Sequence, residues 1–522
     1  MSFKTTPEID YSSVGLITDI PTHSLPDGAW NDCLNVRCKD GSVHGVNSFS
    51  DNIALHGTDT VISGGEAMAV TQFTPAGYNY LVIAYIVKGT DNFGHVVTYN
   101  TNTSAWNDIT NSTTNLKFTF DEKYPPQIFV FNELLIVNPA VDAPPQFTDA
   151  GISSGSLNIM PNWPVSDPAP AGGTTYPIVT RSLKPFGNRL MAMNIFEENT
   201  SSASDDVNLP IDILWSSHIT SIGSLSSTEW TASTTNTAGD AFAIETPGKI
   251  LDGGQLGEFF IAYKSDSVIR VAETGDSYVL SFESIFEDDG IYSSRCFANI
   301  GNAQHLVVGN YGVFIHDGQS QKTDVAKGIF QDTIFSLVKA TEKDRSFCFQ
   351  QTRDKEVWFC FSSSSNTANG CDLAFVYDYN EKKLHKRTLP GLTDIYETEL
   401  NGVLQIYATK PDDTKIQLLS NTAYEADGFF VHEDDNLSDN ATIKWINGIY
   451  LDSVDSVKVG LIATQRLTDT KTYTLQTFNP STSHKLDVRT TGRYMNLKVQ
   501  MNGNTNPQLG KLQFDVKLAG KR

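Results

Sequence analysis

The chain has 522 residues, a hydrophobic fraction of 39% and a net charge of -22 at pH 7. A chain of this length can bury a large core, so it predicts several domains or one large β-domain with additions. The acidic balance argues against a protein that grips nucleic acid through its phosphates. Residues 1–7 lack a secretory signal, and no apolar run approaches the about 20 residues of a membrane helix, so we expect a soluble protein made in the cytoplasm.

The N-terminal stretch Gly15–Gly45 contains two turn-forming segments, Leu25–Gly28 and Lys39–Ser42. Proline fixes φ and Asp-Gly tolerates positive φ, so both segments are predicted to be tight turns. Between them, apolar and polar residues alternate around Trp30. The sequence therefore predicts an ordered hook over residues 1–55 that packs onto the body or onto a neighbouring subunit, with Trp30 buried. The candidate packing and assembly residues are Trp30, Leu25 and Leu34.

Strand-turn-strand units recur through the middle of the chain, and long amphipathic helices are not predicted. Four hairpins stand out, at 128–137, 258–271, 305–316 and 404–419. Two longer units, Tyr80–Trp106 and Glu356–Leu384, look like divergent copies. In each, an apolar residue follows a strand-ending tyrosine by seven positions, which is typical of adjacent strands in one antiparallel sheet. The predicted fold class is all-β, with a β-propeller-like body over residues 56–425.

Two regions depart from this pattern. Residues 197–240 are rich in Ser and Thr and are predicted to form long loops or an inserted tip; the candidate gate or tip residues are Asp205, Asp206, Trp215 and Trp230. An acidic segment over 424–441 marks a boundary. Strand-like alternation follows in 443–451, 457–462, 494–500 and 511–518. Residues 426–522 are therefore predicted to be a C-terminal, sandwich-like β-domain.

Motifs for catalysis and metal binding are weak. Gly151–Gly155 fits G-x-S-x-G, but its flanks are not the strand and helix that a nucleophile elbow needs, so a turn is favoured. The ten histidines form no metal-binding pair. We predict no catalytic residue, no cofactor and no metal ligand. The acidic clusters Glu287–Asp289 and Glu433–Asp435 are interpreted as solvated turns, with Ca²⁺ binding left open.

Two other groups of residues favour ordinary structural roles. The basic run Lys382–Arg387 is predicted to be a solvated loop or to form a charge pair with a neighbouring subunit. DNA binding is not favoured, because a single basic run on a strongly acidic chain would bind DNA weakly. The six cysteines contain no C-x-x-C pair. They are interpreted as buried thiols of a reducing compartment.

An ordered series of segments resembles the tail nozzle proteins (tail tubular protein B-like) of short-tailed bacteriophages, the podoviruses. The segments run from the hook to the end of the chain: Gly15–Gly45, Phe131–Asn138, Ala143–Phe147, Phe186–Met191, Ile213–Ser216, Gly290–Arg295, Asn310–Gly318, Val376–Tyr379, Gly492–Tyr494 and Ala519–Gly520. The resemblance implies a propeller-like body with β-rich additions and no active site.

The same resemblance implies a structural virion protein in the phage tail. Such proteins form a ring, typically a hexamer, below the portal and the tail adaptor protein; tail fibres or tip proteins are further partners. Phage DNA passes through the ring without sequence-specific binding, and the ring stays closed until infection. Two alternatives are left open. The first is a propeller of a phage tail that binds a receptor or binds or cleaves a glycan, and the second is a periplasmic or cell-surface propeller of cellular origin.

Overall fold

The architecture is taken from a computed structural model, which describes residues 4–521 except 55–58, 76–81, 101, 112–116, 149–155, 166–177, 198–206, 220–227, 243–245, 276–277, 302, 401, 412–414, 438 and 440. The described chain is nearly all β, in agreement with the predicted fold class. Its α-helices are α1 (Thr60–Ser63) and α2 (Gln331–Leu337), and 3₁₀ turns lie at Thr22–Ser24 and Ala340–Arg345. Of the described helices, none has the length and hydropathy of a membrane span.

The N-terminal segment consists of short strands joined by tight turns. These are β1 (Lys4–Thr5), β2 (Glu8–Ile9), β3 (Gly15–Leu16), β4 (Ala29–Trp30), β5 (Asp32–Leu34), β6 (Val36–Lys39), β7 (Ser42–Gly45) and β8 (Asn47–Ala54). Both predicted turns are confirmed. Asp40 and Gly41 join β6 to β7 with φ of 49° and 72°. Gly28 has φ of 83°, and a Cβ there would lie 2.2 Å from the Asp10 carbonyl oxygen, so only glycine fits.

Seven four-stranded antiparallel sheets follow within the described residues, and we number them as blades. Blades 1 to 3 contain β9 (Glu66–Phe73), β10 (Val82–Lys88), β11 (Gly94–Asn100), β12 (Ala105–Asp108); β13 (Gln127–Phe131), β14 (Leu134–Asn138), β15 (Gln146–Thr148), β16 (Asn158–Ile159); and β17 (Val179–Phe186), β18 (Arg189–Glu197), β19 (Val207–Trp215), β20 (Gly239–Phe242).

Blades 4 to 7 continue the series. They contain β21 (Ile250–Leu256), β22 (Phe259–Lys264), β23 (Val268–Glu273), β24 (Leu280–Phe286); β25 (Phe297–Asn299), β26 (His305–Val308), β27 (Val313–His316), β28 (Lys322–Asp324); β29 (Phe347–Gln351), β30 (Glu356–Phe361), β31 (Cys371–Asp378), β32 (Lys383–Leu392); and β33 (Asp394–Leu400), β34 (Val403–Thr409), β35 (Lys415–Tyr424) with β8 as the fourth strand.

The first strands of successive blades stand side by side around a central axis, with Gly254 of β21 against Phe297 of β25 between blades 4 and 5. Strand β33 of blade 7 packs against β9 of blade 1, which closes the ring. Strand β8 pairs with β35, for example through Ile53 and Ile416, so the N-terminal segment completes the last blade. As far as its residues are described, the body is a β-propeller of seven blades. The face that carries the connections between blades is called the upper face, and the opposite one the lower face.

The four predicted hairpins are confirmed as β13–β14, β22–β23, β26–β27 and β34–β35. Asn132 and Glu133 turn the first of them with φ of 47° and 66°. The spacing of seven also has a structural cause, because Tyr99 pairs directly with Trp106 across two strands and Tyr377 pairs with Leu384 in the same way. The start of the Tyr80 strand lies outside the described residues.

The C-terminal residues form two facing sheets. Their strands are β36 (Phe429–Asp435), β37 (Thr442–Leu451), β38 (Val457–Thr464), β39 (Gln476–Phe478), β40 (Lys485–Gly492), β41 (Tyr494–Met501) and β42 (Leu512–Lys521). One sheet has the order β1-β42-β37-β40, with β2 also on β42, and the other has the order β39-β38-β41-β36-β5. Buried side chains of both sheets, such as Ile449 and Leu497, share one hydrophobic cluster. This is a sandwich completed by N-terminal strands.

Residues of the N-terminal segment belong to both of the domains that follow it in sequence. Residues 47–54, expected in the hook, are a propeller strand, and β1, β2 and β5 belong to the C-terminal sandwich. The basic run Lys382–Arg387 is not a solvated loop. Apart from its first residue it lies in β32, where Arg387 is 3% exposed and stacks on Trp358 at 4.1 Å. Its partner is the hook of the same chain, through Lys386 and Asp32 at 2.7 Å.

Candidate functional site: the axis of the propeller and the hook

A cavity of about 490 Å³ opens on the upper face at the mouth of the propeller axis. Connections from blades 1, 5, 6 and 7 converge there. Charged pairs link neighbouring segments across it: Lys88 Nζ lies 3.5 Å from Glu66, and Arg345 pairs with Glu122 of the connection that follows blade 1. The apolar part of the lining includes Phe120, Pro125, Pro126 and Leu392. Lys88 and Glu66 belong to neighbouring strands of blade 1, whereas Arg345 and Glu122 join the connection before blade 6 to the connection after blade 1.

A series of contacts runs around the axis next to this mouth, from blade 2 through blades 3, 4 and 5 to blades 6, 7 and 1. Each blade supplies one member from its first strand, except blade 5, whose Arg295 lies two residues before that strand. The members are Val70, Gln127, Ser182, Asp252, Arg295, Phe347 and Asp394. Gln127 Nε2 donates to Ser182 Oγ at 3.4 Å, and Ser182 Oγ donates to Asp252 at 2.7 Å. Asp252 also accepts from the Arg295 backbone N–H at 3.0 Å. We call this set the axial belt.

The belt continues from blade 5 to blade 1 through charge. The Arg295 guanidinium lies over the Phe347 ring at 5.1 Å and pairs with Asp394 at 3.3 Å. Asp394 in turn accepts from the Val70 backbone N–H at 3.2 Å. Burial raises the pKa of Asp394, and the facing Arg295 partly opposes that shift. The belt therefore joins all seven blades by hydrogen bonds, an ion pair and a cation–π contact.

A second buried chain of hydrogen bonds joins blades 4 and 5. Tyr263 Oη lies 2.8 Å from His305 Nδ1 and 2.7 Å from His316 Nε2. The Gly318 N–H donates to His316 Nδ1, so His316 carries its proton on Nε2 and donates to Tyr263. Tyr263 then donates to His305, whose Nε2–H donates to the Gln255 carbonyl. Every donor has an acceptor only while both histidines are neutral.

This arrangement predicts a loss of stability in acid. Burial lowers the pKa of His305 to about 3, with the neighbouring His316 ring adding to the shift, and burial lowers the pKa of His316 to about 4. An unfolded histidine titrates near pH 6.5, so below that pH the unfolded chain binds protons that the folded chain excludes. Between pH 7 and pH 5, each histidine should cost about 2 kcal/mol of stability, at about 1.4 kcal/mol per pKa unit.

Urea unfolding at pH 7 and pH 5 measures this effect. The His316→Gln protein should lose about 2 kcal/mol less than wild type on acidification, because one excluded proton site is gone. His23, which is exposed in the hook, supplies the matched control as His23→Gln. Equal acid sensitivity in wild type and His316→Gln would contradict the neutral His-Tyr-His chain.

The hook contacts the sandwich through Trp30 and the propeller through Arg37. The indole is fully buried, as predicted, and stacks on Phe430 of β36 with 5.1 Å between ring centroids. Leu25 and Leu34, which flank Trp30 in the sequence, are half-buried. Charge fixes the other side of the hook, since Arg37 Nη1 lies 2.9 Å from Asp354 and 3.1 Å from Glu356 of blade 6. A role of these residues in assembly stays a prediction.

The candidate gate residues fall in different environments. Trp215 lies in β19, is 7% exposed and donates from Nε1 to the Thr237 carbonyl at 3.0 Å. Trp230 is 3% exposed and packs edge-on against Trp163 at 4.6 Å. The prediction of long loops over residues 197–240 is therefore wrong at Trp215, which lies in a strand, and both tryptophans are buried. Asp205 and Asp206 lie outside the described residues.

The acidic cluster at 433–435 is not a solvated turn. It ends strand β36, where Glu433 accepts from Tyr473 Oη at 2.8 Å and Asp434 lies 2.8 Å from Lys471 Nζ. At the other cluster, Asp289 lies 2.9 Å from Lys322 Nζ. In the part of the chain that is described, no group of three or more His, Cys, Asp or Glu could hold a metal ion. The G-x-S-x-G segment lies outside the described residues.

Sequence reasoning missed the axial belt and the His-Tyr-His chain. The belt has no local signal, because each blade supplies one residue. The histidines did leave a signal, because His305 begins the first strand of a predicted hairpin, His316 ends its second strand, and the two residues face each other in its register.

No family model matches the sequence, and no curated protein matches it. Among solved structures, the chain is similar to the WD40 domain of Pan2 from Neurospora crassa, at 8% identity and a TM-score of 0.36. The match covers 74% of this chain and 98% of that domain.

Proposed function

We propose that this protein is the subunit of the tail nozzle ring of a short-tailed phage. In this role it is a structural virion protein without enzymatic activity or cofactor. It continues the DNA channel below the portal and adaptor, closes it, and opens for genome ejection. The observation that carries the proposal is the ordered series of nozzle-like segments from the hook to the last strand.

The positions of these segments in the fold support this reading. Several coincide with tight turns in separate blades: Asn132 and Glu133 in blade 2, Gly187 in blade 3 and Gly318 in blade 5. All four residues have positive φ. Because few residues tolerate this backbone geometry, such turns constrain the sequence more strongly than exposed strand positions do. The hook, which opens the series, contacts both the propeller and the sandwich.

The charge of -22 gives a second, physical support. A channel through which DNA is ejected works best when its wall repels the phosphates. A positively charged wall would attract the phosphates, release counterions and so hold the DNA in place. The DNA path in this proposal is the axis of the ring of subunits, whose surface is net negative. The partners are further copies of the chain in a hexamer, the adaptor above, and fibre or tip proteins. Heterologous contacts of the kind that close a ring would join the copies.

Mass photometry and negative-stain images of the purified protein, alone and mixed with its adaptor, test the proposal. The expected particle is a six-fold ring near six times 57.3 kDa, about 344 kDa. A protein that stays monomeric with the adaptor present would overturn the proposal. A ring with a net positive lumen would overturn the electrostatic part of it alone.

A further inference from the structure

The interface between blades 5 and 6 contains a cavity of about 760 Å³ that opens on the lower face. Hydrophobic rings such as Phe330 and Phe375, 5.9 Å apart, fill one part of this interface. The rest is open. Blade 5 ends in the three-residue strand Lys322–Asp324, after which the chain leaves toward α2. Its fourth strand is therefore too short to cover the gap, which we call the interblade cavity.

The lining of the interblade cavity is aromatic and polar. Tyr377 lies in β31 and Tyr379 lies in the turn just after it, and both tyrosines line the cavity. Gln304 of blade 5 and Gln350 of blade 6 line the cavity from its two sides. Within the described residues, neither glutamine amide has a protein hydrogen-bond partner. Each amide thus offers both a donor and an acceptor to a ligand.

Two lysines lie on the rim of the cavity. Lys355 and Lys382 lie in the two lower turns of blade 6, and the described residues give neither a salt bridge. Their backbones have φ of 60° and 57°, so tight turns fix where both side chains begin. The one carboxylate in the lining, Asp324, leaves the cavity with an excess of positive charge. That excess stands out on a chain of net charge -22.

We propose that the interblade cavity binds an acidic oligosaccharide. Its volume lies within the range of about 300–1,000 Å³ that is usual for ligand pockets. Tyrosine rings supply amphipathic surface for a sugar ring, and the glutamine amides match the paired donor and acceptor character of neighbouring hydroxyls. The two ammonium groups meet the carboxylates of the ligand. Every residue of the site belongs to one chain, so binding does not depend on the proposed ring.

Isothermal titration calorimetry with the full chain tests this site. The probes are short oligomers of galacturonate, glucuronate and sialate, with maltotriose as the neutral counterpart and inorganic phosphate as the bare anion. At least one acidic oligomer should bind at least about tenfold more tightly than maltotriose or phosphate, and added salt should weaken it. The Lys355→Gln/Lys382→Gln protein should lose about tenfold in affinity for that oligomer.

Two further variants separate the site from general charge effects. Gln350→Ala should also weaken binding, because it removes an amide from the cavity wall. Lys327→Gln removes an exposed lysine of the same region that does not line the cavity, and its affinity should match wild type. Failure of all three acidic oligomers to bind, phosphate binding as tight as theirs, or an equal loss in Lys327→Gln would each overturn the proposal.

Discussion

Replacing Asp252 by alanine is expected to destabilise the protein by about 3–5 kcal/mol, the usual cost of removing one partner from a buried charged network. Asp252 is fully buried in β21. Its carboxylate accepts from Ser182 Oγ at 2.7 Å and from the Arg295 N–H at 3.0 Å, and it lies 3.3 Å from Lys184 Nζ. Alanine leaves these donors of blades 3 and 5 without their acceptor, so the axial belt is cut at blade 4.

Two substitutions calibrate the experiment. Asp252→Asn keeps the shape but turns an N–H toward one of the donors, so it should cost about 1–3 kcal/mol. Glu287→Gln neutralises an exposed carboxylate of the following connection and should stay within about 0.5 kcal/mol of wild type. Urea unfolding at pH 7, followed by circular dichroism, measures all three. If Asp252→Ala behaves like Glu287→Gln, the axial belt does not stabilise the propeller.

Local parts of this fold were predictable from sequence because their causes are local. Hairpins such as β13–β14 join apolar strands through a two-residue turn, and a spacing of seven placed Tyr377 opposite Leu384. The number of blades was not predictable, since the repeat is too divergent. The closure of the ring was not predictable either. Strand β8 has the polar sequence Asn-Ser-Phe-Ser-Asp-Asn-Ile-Ala, which is typical of a loop, and it is a strand because it pairs with β35. That pairing joins segments more than 350 residues apart.

The site was less predictable than the fold, because its contacts join residues that are distant in sequence. The axial belt draws one residue from each of seven blades, so no motif marks it. Composition was misleading near Trp215, where Ser and Thr dominate the neighbouring segments but the indole is buried. Composition also misled at Lys382–Arg387 and Glu433–Asp435, where charge suggested solvent exposure. In the structure these charges form ion pairs within the protein, for example Lys386 with Asp32 of the hook.

Replacing Trp30 by alanine is expected to cost about 3–5 kcal/mol, as for other fully buried aromatic residues. The indole fills the junction of hook and sandwich and stacks on Phe430 at 5.1 Å. Its Nε1 has no hydrogen-bond partner within the described residues. Phenylalanine would keep the stacking and remove that unpaired N–H, so Trp30→Phe should cost only about 1–1.5 kcal/mol. Urea unfolding measures both variants.

The matched control is Trp445→Ala, which removes a tryptophan that is 54% exposed on β37 and should cost about 1 kcal/mol or less. Because β5 pairs with β36 and β8 closes blade 7, loosening Trp30 should also increase proteolysis of the hook and reduce ring formation with the adaptor. A Trp30→Ala protein with normal stability and normal rings would contradict this account. The hook would then be held mainly by its ion pairs, Arg37 with Asp354 and Lys386 with Asp32.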